Sequence, residues 1–444
     1  MGGMQHPGGW VVAIAIGIAA MAGPAGAQRT VIEADATVSA GYTQLTQAQF
    51  QPDPNAAPED VRPTTTSELF TQLRPGIALQ TGSPRLTWRA GYVFAGNLSL
   101  SGEKLGAYSN QANGSLAGEL SKYTTLTIAG SIAQGGTSFL LAQRPADAGD
   151  TQIRAPGNPD LISGSLLESI TWEARKHLVV QHTIVANLSA PQDDFSARNS
   201  AWSTTLSLDR TYERDTLGAE VRASLSWLRP LRQGEHLYRS TSNGVLARWN
   251  HDFSVGWNGL VTAGIEQVYT DTGSKPLAFL PAASATVRYA AYNTVTALDF
   301  SHGTATNLQV GAISLTDKIT ARGIITLDPD ISRSLAFSAG FLHNEPLGEV
   351  DAAVAAGTGN AVQGDAGFTT AITRRVIASA RYSVAYQFGQ GGNLQPTLAH
   401  IFFIGITGSY RNTEGPTRAL PARGNRVDGS DAEGFPVIVD KPTL

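Results

Sequence analysis

A transmembrane, antiparallel, up-and-down β-barrel of about eighteen strands, with sixteen as the alternative, is the all-β fold class that this sequence of 444 residues predicts. Three observations predict it. Wettability alternates residue by residue along many segments, the links between those segments are short and long in turn, and aromatic residues gather beside the short links.

The alternation is clearest from Leu217 to Trp227, where Leu217, Ala219, Val221, Ala223, Leu225 and Trp227 interleave with Gly218, Glu220, Arg222, Ser224 and Ser226. A period of two places the two sets on opposite faces of a strand. The pattern recurs from Val376 to Phe388 and in segments 86–94, 126–132, 202–212, 255–269 and 279–289. A soluble two-sheet sandwich would also alternate, so the period does not decide between the two.

The links do. Short polar turns are read at 82–84, 121–122, 175–176, 213–215, 251–252, 293, 328–330 and 374–375. Between them fall longer links rich in Gly, Pro, Asn and Asp, at 46–64, 97–106, 136–160, 190–199, 230–236, 271–277, 343–361 and 389–396. A barrel with tight turns at one membrane surface and longer loops at the other has this asymmetry, whereas a sandwich has no reason to sort its loops. Segment 302–327 is ambiguous, and it sets the choice between eighteen strands and sixteen. Trp88, Tyr123, Trp172, Tyr212, Trp249, Phe253, Trp257, Tyr289 and Tyr292 lie in or near the short turns, as an interfacial girdle requires.

Three parts are expected: a signal peptide at 1–27, the barrel at 28–410 and a flexible periplasmic tail at 411–444. The apolar run Trp10 to Ala22, followed by Ala25-Gly26-Ala27, reads as a hydrophobic core with a small-x-small cleavage site. It is shorter than the roughly 20 residues of a spanning helix. Residues 411–444 lose the alternation and carry Pro416, Pro421, Pro436 and Pro442.

The wet face supplies the candidate pore-lining residues Arg74, Arg89, Glu119, Asp209, Glu220, Arg222, Arg248, Glu266, Arg288, Asp299, Arg322, Asp365 and Arg381. Glu33, Asp35 and Lys318 share that face. Charges cannot face hydrocarbon cheaply, so their placement on one side implies water there. A second role for many of them is to brace the wall as inter-strand ion pairs. A barrel of this strand number is wide enough for an aqueous channel. The mixed signs, with abundant Ser, Thr, Asn and Gln, suit neutral or weakly charged hydrophilic solutes.

Other functional classes fare worse. A net charge of -4 without a basic block offers no nucleic-acid footprint. No cofactor or metal is expected, since the chain has no Cys and its histidines lack ligand spacing: His177 and His182 are five apart on a strand and face opposite sides. His236, His251, His302, His343 and His400 fall in no catalytic pattern, so the chain is not expected to be an enzyme.

From about 31 to 410, the alternation, the sorted loops and the girdle resemble bacterial outer-membrane porin-like barrels. In that family the last strand ends on an aromatic residue that the insertion machinery reads, and Tyr410 ends the segment Ala399 to Tyr410 here. The resemblance implies an outer-membrane channel in contact with lipid. In architecture the chain is also similar to the polysaccharide-export barrels of gliding bacteria, which implies exported polysaccharide as cargo and a periplasmic export partner. The alternatives are a structural or adhesive barrel with a blocked lumen and, from another class, a barrel-embedded lipid hydrolase.

Overall fold

The computed structural model describes residues 30–48, 63–83, 85–101, 108–136, 160–192, 194–229, 237–271, 277–308, 312–329, 332–347, 359–388 and 397–412. The expected signal peptide, and the tail beyond residue 412, lie outside the described residues.

One closed sheet contains every described strand. In chain order these are β1 (Val31–Ala48), β2 (Pro63–Gly82), β3 (Leu86–Ser99), β4 (Tyr108–Ser121), β5 (Thr124–Gly136), β6 (Asp160–Arg175), β7 (Leu178–Pro191), β8 (Asn199–Thr211) and β9 (Asp215–Leu228). The second half comprises β10 (Tyr238–Ser254), β11 (Trp257–Thr270), β12 (Leu277–Ala290), β13 (Thr294–Asn307), β14 (Ala312–Asp328), β15 (Arg333–Pro346), β16 (Gly359–Thr373), β17 (Val376–Phe388) and β18 (Thr397–Arg411). Each strand pairs antiparallel with its neighbours in sequence, and β1 pairs with β18, from Glu33 opposite Arg411 to Thr46 opposite Leu398. That seam closes an eighteen-stranded barrel. Strand lengths run from 13 residues in β5 to 20 in β2, more than the roughly 9–11 residues needed to cross hydrocarbon.

The strand boundaries follow the links read from the sequence with two differences. The β10–β11 turn is at Val255-Gly256 rather than His251-Asp252. His251 and Asp252 stay in the strand because their polar groups are engaged there: His251 Nδ1 lies 2.8 Å from Asp215 Oδ1, and the Asp252 amide donates to the Arg214 carbonyl at 2.9 Å. Gly256, at φ +91°, supplies the left-handed residue that the tight turn needs. The ambiguous segment 302–327 resolves into the end of β13 and most of β14, joined at the long-loop end of the barrel.

The two faces separate cleanly. On one, Leu73 is 52% exposed, Val245 62% and Ile265 63%. On the other, Ser207, Glu220, Arg248 and Thr262 are buried against one another. This is the inverse of a soluble protein, since the large apolar side chains point away from the molecule. The girdle residues Tyr123, Trp172, Tyr212, Trp249, Phe253, Trp257 and Tyr292 are exposed at the short-turn end, while Trp88 is buried.

Placing a charge on each face tests this geometry. Val245→Arg, in the middle of β10 and outward, is expected to cost about 2–4 kcal/mol in denaturant unfolding from lipid vesicles. Thr127→Arg, on the inner face of β5, should cost much less, and equal losses would contradict the assignment of faces.

Candidate functional site

Contacts between strands that are not neighbours identify the inner face. The Thr306 hydroxyl of β13 lies 3.2 Å from that of Ser226 on β9, and Asn199 at the start of β8 donates to the Leu308 carbonyl at 2.8 Å. Groups four and five strands apart can meet in a barrel only through its interior. Ser226 shares its face with Gly218, Glu220 and Arg222, so that face lines the lumen.

Strand registers carry the assignment around the barrel. All thirteen candidate residues fall on the inner face: Arg74, Arg89, Glu119, Asp209, Glu220, Arg222, Arg248, Glu266, Arg288, Asp299, Arg322, Asp365 and Arg381. They do not converge on one point. Four clusters form instead.

On β8–β10, Arg248 Nη1 donates to Glu220 Oε2 at 3.2 Å, and its Nε lies 3.6 Å from Asp209 Oδ1. Arg222 Nε donates to the other oxygen of Glu220. In register order Gly218 stands between Asp209 and Arg248, and a Cβ there would lie 1.9 Å from Asp209 Oδ1. The missing side chain lets the guanidinium reach across a strand to the carboxylate. On β15–β17, Asp365 accepts from Arg381 Nη2 at 2.8 Å and Gln363 Nε2 at 3.1 Å, with Ser383 and Ser338 hydroxyls also donating. Its register partners are Ser338 and Ser383, both small enough to leave the carboxylate room.

Two further pairs complete the set. Asp299 accepts from Thr286 at 2.8 Å and meets Arg322 Nε at 3.5 Å. Glu33 is shared by Arg89 at 3.1 Å and Arg411 at 3.2 Å, the first bond spanning β2 and the second bridging the seam. Arg74 differs. Its Nε has no hydrogen-bond partner among the described residues, and the charges acting on it are those of Asp35 and Arg381. Glu119 stands exposed at the short-turn end of β4.

The sequence left one part of the site undetected. β13 pairs with β12 only up to His302, opposite Ala283, while its pairing with β14 continues to Asn307, opposite Ala312. Beyond His302 the hairpin leaves the wall and enters the lumen. There Glu266 Oε2 accepts from the Thr304 amide at 3.2 Å. Ile313 packs with the inward-facing Leu228 and Val268, and Leu308, Leu280 and Leu347 pack against that group. The signal for this departure lies in the outward register of β13, where Leu298 and Phe300 give way to His302, Thr304 and Thr306. A strand with those residues outward has too little apolar surface to face lipid.

Among the described residues His182, His302, His343 and His400 each bond to a single neighbour, with Asp317 standing in register between His302 and His343. His182 Nε2 is 2.8 Å from Thr204 Oγ1, His302 Nδ1 is 2.6 Å from Asp317, His343 Nδ1 is 2.8 Å from Asn360, and His400 Nδ1 is 2.7 Å from the Tyr382 hydroxyl. Among the described residues no group of three or more His, Cys, Asp or Glu is placed to hold a metal ion.

The fold and its two faces define a transmembrane β-barrel with a polar, charge-paired lumen. Among solved structures the chain is similar to OccK2 (OpdF) of Pseudomonas aeruginosa, at 11% identity over 85% of this chain and 98% of that one, with a TM-score of 0.40. It is similar at the same TM-score to a BenF-like porin from Pseudomonas fluorescens Pf-5, at 10% identity over 85% and 99% of the two chains. The siderophore receptor PiuA of Acinetobacter baumannii is comparable, at 8% identity over 84% and 82% with a TM-score of 0.39. Likeness at this level concerns the barrel wall and is silent on cargo. No family model and no curated protein matches the sequence.

Two variants probe the lumen. Gly218→Val forces a side chain between Asp209 and Arg248 and is expected to destabilise the barrel by about 1–3 kcal/mol in unfolding from lipid. Leu308→Asp removes an apolar anchor of the infolded hairpin. Single-channel recordings should then show larger or noisier current steps than the parent, and identical traces would mean that the hairpin does not limit the opening.

Proposed function

We propose that the chain is a passive channel of the bacterial outer membrane for small hydrophilic solutes, and that it carries out no chemistry of its own. The observation that carries this reading is the sorting of charge: every candidate charged residue faces the lumen, on a wall whose other side is apolar. Water is the medium that such an inner face requires. A barrel of eighteen strands leaves room for it beside the infolded hairpin.

The ion pairs support a weakly selective opening. Arg248, Arg381, Arg322 and Arg89 each have a carboxylate partner, so much of the inner charge is spent within the wall. The hairpin across the lumen favours small solutes over a polysaccharide chain. Neutral or weakly charged molecules fit that combination better than a single strongly charged species.

Planar-bilayer recording of the purified protein is the test. Stable conductance is expected. Its absence would favour an adhesive or structural barrel, and release of fatty acid from lipid without conductance would favour a hydrolase. Charge reversal refines the test: Arg74→Glu, at a guanidinium with no ion pair among the described residues, should move the reversal potential in a salt gradient toward cation preference. Arg248→Glu breaks a buried pair and should act first on stability, so a larger selectivity change there than at Arg74 would overturn this picture of the lumen.

A further inference from the structure

The β13–β14 hairpin leaves the wall at a definite residue pair. The Ala290 amide of β12 donates to the Gly256 carbonyl on the β11 side at 2.8 Å, so by antiparallel alternation the odd-numbered residues of β12 turn their backbone groups toward β13. Ala283 is the last of these to find a partner there, His302. The next is Pro281, which the same register would set opposite Thr304. Proline has no N–H, so the Thr304 carbonyl is offered no donor. One residue earlier the strands still lie side by side: a Cβ on Gly303 would stand 3.8 Å from Ala282 Cβ. Departure therefore begins where the proline stands.

A proline alone does not end a ladder. Pro75 interrupts the β2–β3 pairing, which skips Arg74 and Pro75 and resumes with Leu73 opposite Gly96. At Pro281 the pairing does not resume, although Phe279 of β12 and Thr306 of β13 would meet two residues further on in the same register. The difference is Glu266. This carboxylate projects from the lumen face of β11, and its Oε2 accepts from the Thr304 amide at 3.2 Å, the bond that the Pro281 carbonyl would otherwise take. The chain then runs inward, and the Thr306 hydroxyl reaches that of Ser226. On the edge of β12 that is left bare, Pro281 has no amide to be orphaned, which is why an edge tolerates proline.

We propose that Pro281 and Glu266 are the positioning residues that hold the β13–β14 hairpin across the interior, and that they thereby set the largest solute the channel admits. The first part stands on the fold; the second rests on the channel reading. Pro281 withholds the donor that would return Thr304 to the wall. Glu266 supplies the acceptor that draws the same residue inward. The rest of the hairpin does not decide the matter so firmly. β14 accepts either position, since Ile313 and Leu315, in register with Thr306 and Thr304, would face lipid if the hairpin rejoined β12. The threonines of β13 favour the interior, but an outward threonine is a weaker constraint than a missing ladder donor.

The chain has no cysteine, so introduced pairs report where the hairpin lies. Phe279→Cys and Thr306→Cys meet only when the hairpin rejoins β12. In vesicles under mild oxidant, adding Pro281→Val or Glu266→Leu is expected to speed that disulfide about fivefold, the scale of one hydrogen bond, and both together should speed it further. Ile265→Ala, at the outward register partner of Pro281, should leave the rate unchanged. Polymer exclusion in single-channel recording then reads the opening. The chain carrying Pro281→Val and Glu266→Leu should admit larger polyethylene glycols than the parent, and a disulfide between Ser226→Cys and Thr306→Cys, which ties the hairpin inside, should restore the parent limit. A disulfide rate that neither substitution moves, or that Ile265→Ala moves equally, overturns the positioning role. A polymer limit that stays at the parent value in the doubly substituted chain overturns the effect on solute size. The disulfides are read by mass, without current, so the positioning role and the channel reading fail separately.

Discussion

Pairing of backbone amides and carbonyls inside hydrocarbon is the constraint on which the rest of this structure depends. A membrane core offers no water to an open sheet edge, so strands can cross it only if the first meets the last. Here β1 and β18 meet over fourteen consecutive register pairs, from Glu33 with Arg411 to Thr46 with Leu398. Once the sheet is closed, side chains have only two destinations, and the alternation sorts them. The exposed apolar residues that would be a liability on a soluble sheet become the solvent-matched exterior.

Closure also decides how the inner charges behave. Arginine and carboxylate side chains on neighbouring strands are held within reach of one another, and small residues in the register rows clear space for them. Gly218 between Asp209 and Arg248, and the serines on either side of Asp365, are examples. The ion pairs tie strands together on the lumen side, where the backbone ladder alone would leave the wall free to flex. Arg74 Nε has no hydrogen-bond partner among the described residues, and the carboxylate of Asp35 and the guanidinium of Arg381 act on its charge.

The infolded hairpin shows how one strand can serve two purposes. Its lower part, through Phe300, is a wall element with apolar residues outward. Its upper part carries threonines on that face, leaves β12 after His302, and takes its hydrogen bonds from Glu266, Ser226 and Asn199 across the interior. Loss of one ladder is offset by contacts that only a closed barrel can provide. The result places the end of a hairpin across the interior of the barrel.

The alternation of Leu217 to Trp227, the sorting of the links and the aromatic residues beside the short turns were enough to read the fold class, the strand number and the face of each candidate residue from the sequence. They suffice because side-chain direction in a strand is local, fixed by the pleat at each residue. What the sequence left open was non-local. Which charges pair and where β13 leaves the wall both depend on register between strands and on curvature around the barrel. A period of two fixes the side of the wall on which a residue lies; only closure of the sheet fixes what stands opposite it.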